Sequence, residues 1–129
     1  MINFKLKPYE WQKSMDILLQ NINLSKIEFP DNLSVSFTFL NSYDGSFYKK
    51  ILCHNVWKFS KTNYSEEKED FPLFICDVKI AKLECSNIES AFAYLKYDFN
   101  IPYSNEYILL CMDSGDININ LICETIETA

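Results

Sequence analysis

The chain has 129 residues, 48% apolar and 23% charged, a net charge of −6, and 10 Phe, 8 Tyr and 2 Trp. That length fits a single domain over residues 1–129 with a core of its own, and the aromatic content excludes a disordered chain. Only two glycines and short apolar runs exclude a phosphate-cradling glycine loop and a membrane-spanning helix, which needs roughly 20 apolar residues.

INFKLK at 2–7 alternates apolar and polar residues, the pattern of a strand with one buried face, and Pro8 closes it. From Tyr9 to about Asn21, the residues Trp11, Met15, Leu18 and Ile22 fall on one stripe of an amphipathic helix. LSVSFTFL at 33–40 places Leu33, Val35, Phe37 and Phe39 on a core face and Ser34, Ser36 and Thr38 toward water. Asp44-Gly45 supplies a tight turn, and FYKKILC returns as the partner strand of a hairpin over 33–53.

The alternation changes parity at His54-Asn55, which predicts a bulge or bend before Val56, Trp57 and Phe59. FPLFICDVKIAKLE at 71–84 reads as a strand with an inner stripe of Phe74, Cys76, Val78 and Ile80. Ser86-Asn87-Ile88-Glu89 has the form of a helix-starting capping box, followed by Ala91, Phe92 and Leu95 at helical spacing. AFAYLKYDF also alternates as a strand would. EYILLCMD, the turn DSGD, and ININLICETIE form a last hairpin with Ile117, Ile119, Leu121 and Cys123 inward. About seven hairpin-connected strands with one or two packed helices predict an α+β fold, mainly antiparallel sheet.

The charge is divided unevenly. Residues 1–65 carry 8 Lys against 5 acids, net +3, and residues 66–129 carry 4 Lys against 13 acids, net −9. All twelve cations are Lys; without Arg the chain lacks the side chain best shaped to fork onto phosphate or guanine, so nucleic acid is not an expected partner. The opening MINFKLKPYEW has no apolar stretch before a small-residue cleavage site, so no secretory signal is read there and a cytoplasmic location is expected.

Five cysteines, Cys53, Cys76, Cys85, Cys111 and Cys123, stand at irregular spacings and read as buried thiols in a reducing compartment. With no CxxC and one histidine, no zinc site is expected, nor any other metal or cofactor. Cys53 beside His54 suggests a thiol nucleophile, but neighbours in a strand point to opposite faces. Asp113 with Asp116, and Asp77 with Glu84, are possible acid and base pairs, though the former has an ordinary role in a turn. Tyr9, Trp11, Trp57 and Tyr64 could line a pocket for an apolar ligand, or simply form core and rim.

KTNYSEEKEDFP at 61–72 gathers Glu66, Glu67, Glu69 and Asp70 between two apolar runs. It lacks the glycine turn of a calcium loop. As a solvated connection it needs no partner. Set in a negative half-chain, it would also steer a cationic protein, with Tyr64 as an aromatic anchor.

The succession of ILCHNVWKFS, DFPLFICDVKIAKLE and GDININLICETIE in an acidic chain of this size resembles the small bacterial immunity proteins of polymorphic or contact-dependent toxin systems. The resemblance implies a cytoplasmic, non-enzymatic protein that binds a cognate basic toxin domain and covers its active site with acidic side chains. Residues Tyr64, Glu66, Glu67, Glu69 and Asp70 are the expected contact surface. Two other readings stand beside it: a small β-rich ligand carrier or enzyme with its site among the aromatics and His54, and a structural subunit of a homo-oligomer.

Overall fold

The computed structural model describes residues 16–63, 73–83, 89, 106–114 and 117–128. Eight strands run through them: β1 (Asp16–Asp31), β2 (Ser34–Asn41), β3 (Phe47–His54), β4 (Lys58–Asn63), β5 (Leu73–Leu83), β6 (Tyr107–Asp113), β7 (Ile117–Cys123) and β8 (Thr125–Thr128). All pairings are antiparallel, in the order β4-β7-β6-β5-β1-β2-β3-β8.

The two ends of that order are joined through the chain. β4 continues β3 after a bend at 55–57, and β8 continues β7 after Glu124. The β3–β4 run lies antiparallel to the β7–β8 run along both halves, from Ile51 opposite Thr128 to Asn63 opposite Ile117. At the bend, Trp57 N–H donates to the Ile122 carbonyl at 2.8 Å and Glu124 N–H to the His54 carbonyl at 3.1 Å. Six continuous runs therefore close into a barrel, the arrangement that leaves fewest unpaired strand edges. Asn55 makes the bend possible, since its φ of 53° lies in the left-handed region that Asn tolerates better than most residues.

The interior is filled by side chains. Leu24, Val35, Phe37, Phe39, Ile51, Cys53, Ile75, Val78, Leu110, Met112, Ile119, Leu121 and Cys123 form one cluster. Ala81, Leu83, Tyr107, Leu109 and Ile122 are buried on the opposite face of β5–β6–β7, so these strands are covered on both sides. Among the described residues no helix is long and apolar enough to cross a membrane.

The α+β expectation is corrected: the eight described elements are all strands, and the fold is an antiparallel β barrel. The helix expected over Tyr9–Asn21 is overturned from Asp16 onward, where β1 begins. Asn21, at φ 52°, interrupts the alternation of β1, so Leu18 and Ile22, four apart as on a helix, both pack against the core. β5 changes parity directly across from it, burying Ile75 and Val78. The expected inner stripe of β5 is therefore corrected at Phe74 and Cys76, which are exposed.

The hairpin over 33–53 forms with Gly45 at φ 73° in its turn, but Leu33 is exposed, not inward. Ser34, Ser36 and Thr38, expected to meet water, are buried although they lie opposite the core face. The strand at 2–7 lies outside the described residues. The proposed helix over 86–95 also does, apart from Glu89, whose backbone is helical.

Candidate functional site

The acidic segment enters from Asn63 at the end of β4 and leaves into Leu73 at the start of β5. Tyr64, Glu66, Glu67, Glu69 and Asp70 themselves lie outside the described residues. The points where the segment is tethered are described. Asn63 is paired with Ile117, the first residue after the β6–β7 turn, and Leu73 with Leu24 of β1.

Two further carboxylates stand at this end of the barrel. Asp77 of β5 is directly opposite Asp113, the last residue of β6. The flanking pair Val78 and Met112 is fully buried, so alternation turns both aspartates outward. Asp77 accepts a hydrogen bond from Gln20 Nε2 at 3.2 Å, and Lys79 Nζ stands 3.9 Å from its Oδ2. Asp113 is exposed and makes no ion pair among the described residues. Like charges directly opposite in a ladder repel, and among the described residues Lys79 and Gln20 offset Asp77 while Asp113 has no ion pair. Elsewhere on the barrel, Glu28 pairs with Lys26 at 3.7 Å and Glu106 with Lys82 at 3.1 Å, and Glu127 is hydrogen-bonded to His54 at 2.6 Å.

The sequence singled out Asp77 and Asp113 but gave each a different partner. Glu84 and Asp116 lie outside the described residues, and the structure pairs the two aspartates with each other. No sequence signal could have shown this, because the register of β5 against β6 is set across a long connection.

The Cys53 and His54 pair is not brought together for nucleophilic chemistry. Cys53 is buried in the core, where its hydrogen bond with Cys123 and burial hold the Cys123 thiol well above its ordinary pKa. His54 turns outward, its Nε2 bonded to Glu127 Oε2 across the β3–β8 seam. Asp31 stands near this imidazole. Its carboxyl is held below the usual range by the Leu33 N–H, 2.9 Å away, by the Ser34 hydroxyl and, more weakly, by His54. Cys111 is pushed up to about 12 by burial, against an opposing pull from Lys79.

Trp57 borders a surface recess of about 390 Å³ with Leu33, Asn55, Val56 and Glu124, its ring edge-on to Tyr107 at 6.0 Å. This recess sits on the outer surface at the bend, while the barrel interior is occupied by the core. Tyr9 and Trp11 lie outside the described residues. Among the described residues no three His, Cys, Asp or Glu side chains are grouped to hold a metal ion.

A protein-family model carrying the description "-like" matches residues 17–129, the span of the whole barrel. The chain belongs to that family. No curated protein matches it. Among solved structures, the crystal structure of an uncharacterized protein from Neisseria gonorrhoeae is similar, with 23% sequence identity over 88% of this chain and 95% of that one, and a TM-score of 0.61. At that identity the likeness is one of fold, and it extends over nearly the full length of both chains.

Proposed function

We propose that the protein is a non-enzymatic binding domain of the immunity type, whose acidic end meets a basic protein, most simply the catalytic domain of a cognate toxin in the cytoplasm. The observation that carries this reading is the Asp77–Asp113 pair. Two facing carboxylates weaken the ladder that holds them, and they stand beside the tethers of a segment bearing Glu66, Glu67, Glu69 and Asp70. Negative potential gathered at one end attracts a cationic surface and speeds encounter. Tyr64 would add a rigid aromatic contact to the charged rim.

A filled core and the opposite facing of Cys53 and His54 favour a binder over the ligand-carrier or enzyme reading. Reversing Glu66, Glu67, Glu69 and Asp70 to Lys is expected to slow association with the partner and flatten its dependence on salt, with a smaller change in dissociation. Association indifferent to those four charges would remove the assignment.

A further inference from the structure

We infer that the recess beside Trp57 seats an arginine side chain of a partner protein, with the guanidinium stacked on the indole and forked onto the Glu124 carboxylate. The recess, about 390 Å³, is walled by Leu33, Asn55, Val56, Trp57 and Glu124. None of these belongs to the acidic segment or to the Asp77–Asp113 pair, so this is a second surface beyond the one proposed above.

Backbone pairing builds the recess. Val56 N–H donates to the Leu33 carbonyl and Trp57 N–H to the Ile122 carbonyl, each at 2.8 Å, which draws the β1–β2 turn, the bend and the end of β7 together. Ile108 is paired with Cys123, so Tyr107 and Glu124 come next along that ladder. Trp57 stands nearly perpendicular to the fully buried Tyr107, with ring centroids 6.0 Å apart. A perpendicular neighbour covers at most one face of the indole. The ring is therefore held in place while 41% of Trp57 remains exposed.

Glu124 supplies the charge. Its backbone N–H is bonded to the His54 carbonyl at 3.1 Å, but its carboxylate makes no ion pair among the described residues. Asp31 stands behind Leu33, its Oδ1 accepting the Leu33 N–H at 2.9 Å, and adds negative potential at the same rim. The cations nearest in the chain do not fill the recess: Lys58 is placed opposite Ile122 on the β4–β7 ladder, and His54 is bonded to Glu127.

A flat aromatic ring beside a carboxylate suits a guanidinium, which is planar, stacks on indole and offers parallel N–H donors to two carboxylate oxygens. An ammonium meets the carboxylate as a point charge and has no plane to stack. Leu33 and Val56 cover the aliphatic stem. With 57% of Leu33 exposed, the recess is too open to enclose a free small molecule, whereas a side chain arrives with its protein's surface around it. This chain contains no Arg, so the occupant is not a second copy of it. The partner is a different protein with an exposed Arg.

The test is an amide-shift titration of the full chain and of its E124Q and W57L variants with the methylamides of N-acetylarginine, N-acetyllysine and N-acetylcitrulline, and with n-butylamine. Saturable shifts at Leu33, Val56 and Trp57 are expected with the arginine derivative, weakened about tenfold by E124Q and severalfold by W57L. The lysine derivative should bind severalfold more weakly, and the citrulline derivative, which keeps the shape without the charge, at least about tenfold more weakly. E124Q should keep the fold, since the carboxylate it removes has no ion pair, and it decides the matter even where W57L, which loses the Tyr107 contact, does not fold. Shifts that do not saturate, unchanged affinity in E124Q, citrulline bound as well as arginine, or n-butylamine bound as tightly as the arginine derivative would each overturn the assignment.

Discussion

Asp77 and Asp113 face each other across the β5–β6 ladder, both turned outward, with Lys79 Nζ 3.9 Å from Asp77 and, among the described residues, no ion pair on Asp113. Removing one charge should relieve the repulsion. Asp113→Asn is expected to stabilise the barrel by about 0.2–1 kcal/mol, seen as a higher urea midpoint at unchanged slope. A lower midpoint would mean that Asp113 supports the fold instead of straining it.

The bend that closes the barrel depends on Asn55 at φ 53°. A residue with a Cβ and no local hydrogen-bonding side chain is disfavoured there. Asn55→Ala should cost about 1–2 kcal/mol and Asn55→Gly should be close to neutral, read by thermal or urea unfolding. Equal losses from both substitutions would locate the importance of Asn55 in its side chain, not in its backbone.

The β2–β3 turn should respond to acid. Asp44 Oδ1 accepts the Ser46 N–H at 2.9 Å and the Ser46 hydroxyl at 2.7 Å, and these bonds hold its carboxyl below the ordinary aspartate value of 3.8. The folded pKa lies below the unfolded one. The stabilisation is therefore complete above pH about 4 and is lost as pH falls through the lowered folded value. The Ser46 amide resonance should titrate below 3.8, and Asp44→Asn should abolish that transition. Titration at or above that value would contradict the turn geometry.

Thiol reactivity should separate the cysteines. Cys76 is exposed, while Cys53 and Cys123 are buried in the core and Cys111 is raised to about 12. Brief treatment with a maleimide at neutral pH, followed by peptide mapping, should modify Cys76 and spare Cys53, Cys111 and Cys123 until the chain is unfolded. Early labelling of Cys123 would place that thiol outside the core.

What the sequence made legible was local. The β2–β3 hairpin was readable because Val35, Phe37 and Phe39 alternate without interruption and Asp44-Gly45 names its own turn. β1 was mistaken for helix because the left-handed residue Asn21 shifts the alternation, so that Leu18 and Ile22, four apart, both pack against the core. β5 lost its true face for the same reason, since it shifts parity in step with β1 across their shared ladder. Closure of the barrel was not legible at all: it rests on pairing β3–β4 with β7–β8, and the bend signal at His54-Asn55 does not say where the chain goes next.

The candidate site was legible as composition and not as geometry. Glu66, Glu67, Glu69 and Asp70 stand out in the sequence by density alone. Asp77 and Asp113 are paired only through the strand register. Ser36 read as one more water-facing residue, because alternation marks the side away from the core without telling whether that side is covered.

The most direct measurement is affinity capture from the native host with the wild-type chain and with a variant carrying Lys at Glu66, Glu67, Glu69, Asp70, Asp77 and Asp113, followed by mass spectrometry and a growth assay of whatever the wild type retains. A basic protein held by the wild type and lost by the variant, toxic when expressed alone and harmless when expressed with this chain, is the predicted result. Capture of the same proteins by both, or of none that is basic and toxic, would contradict the account.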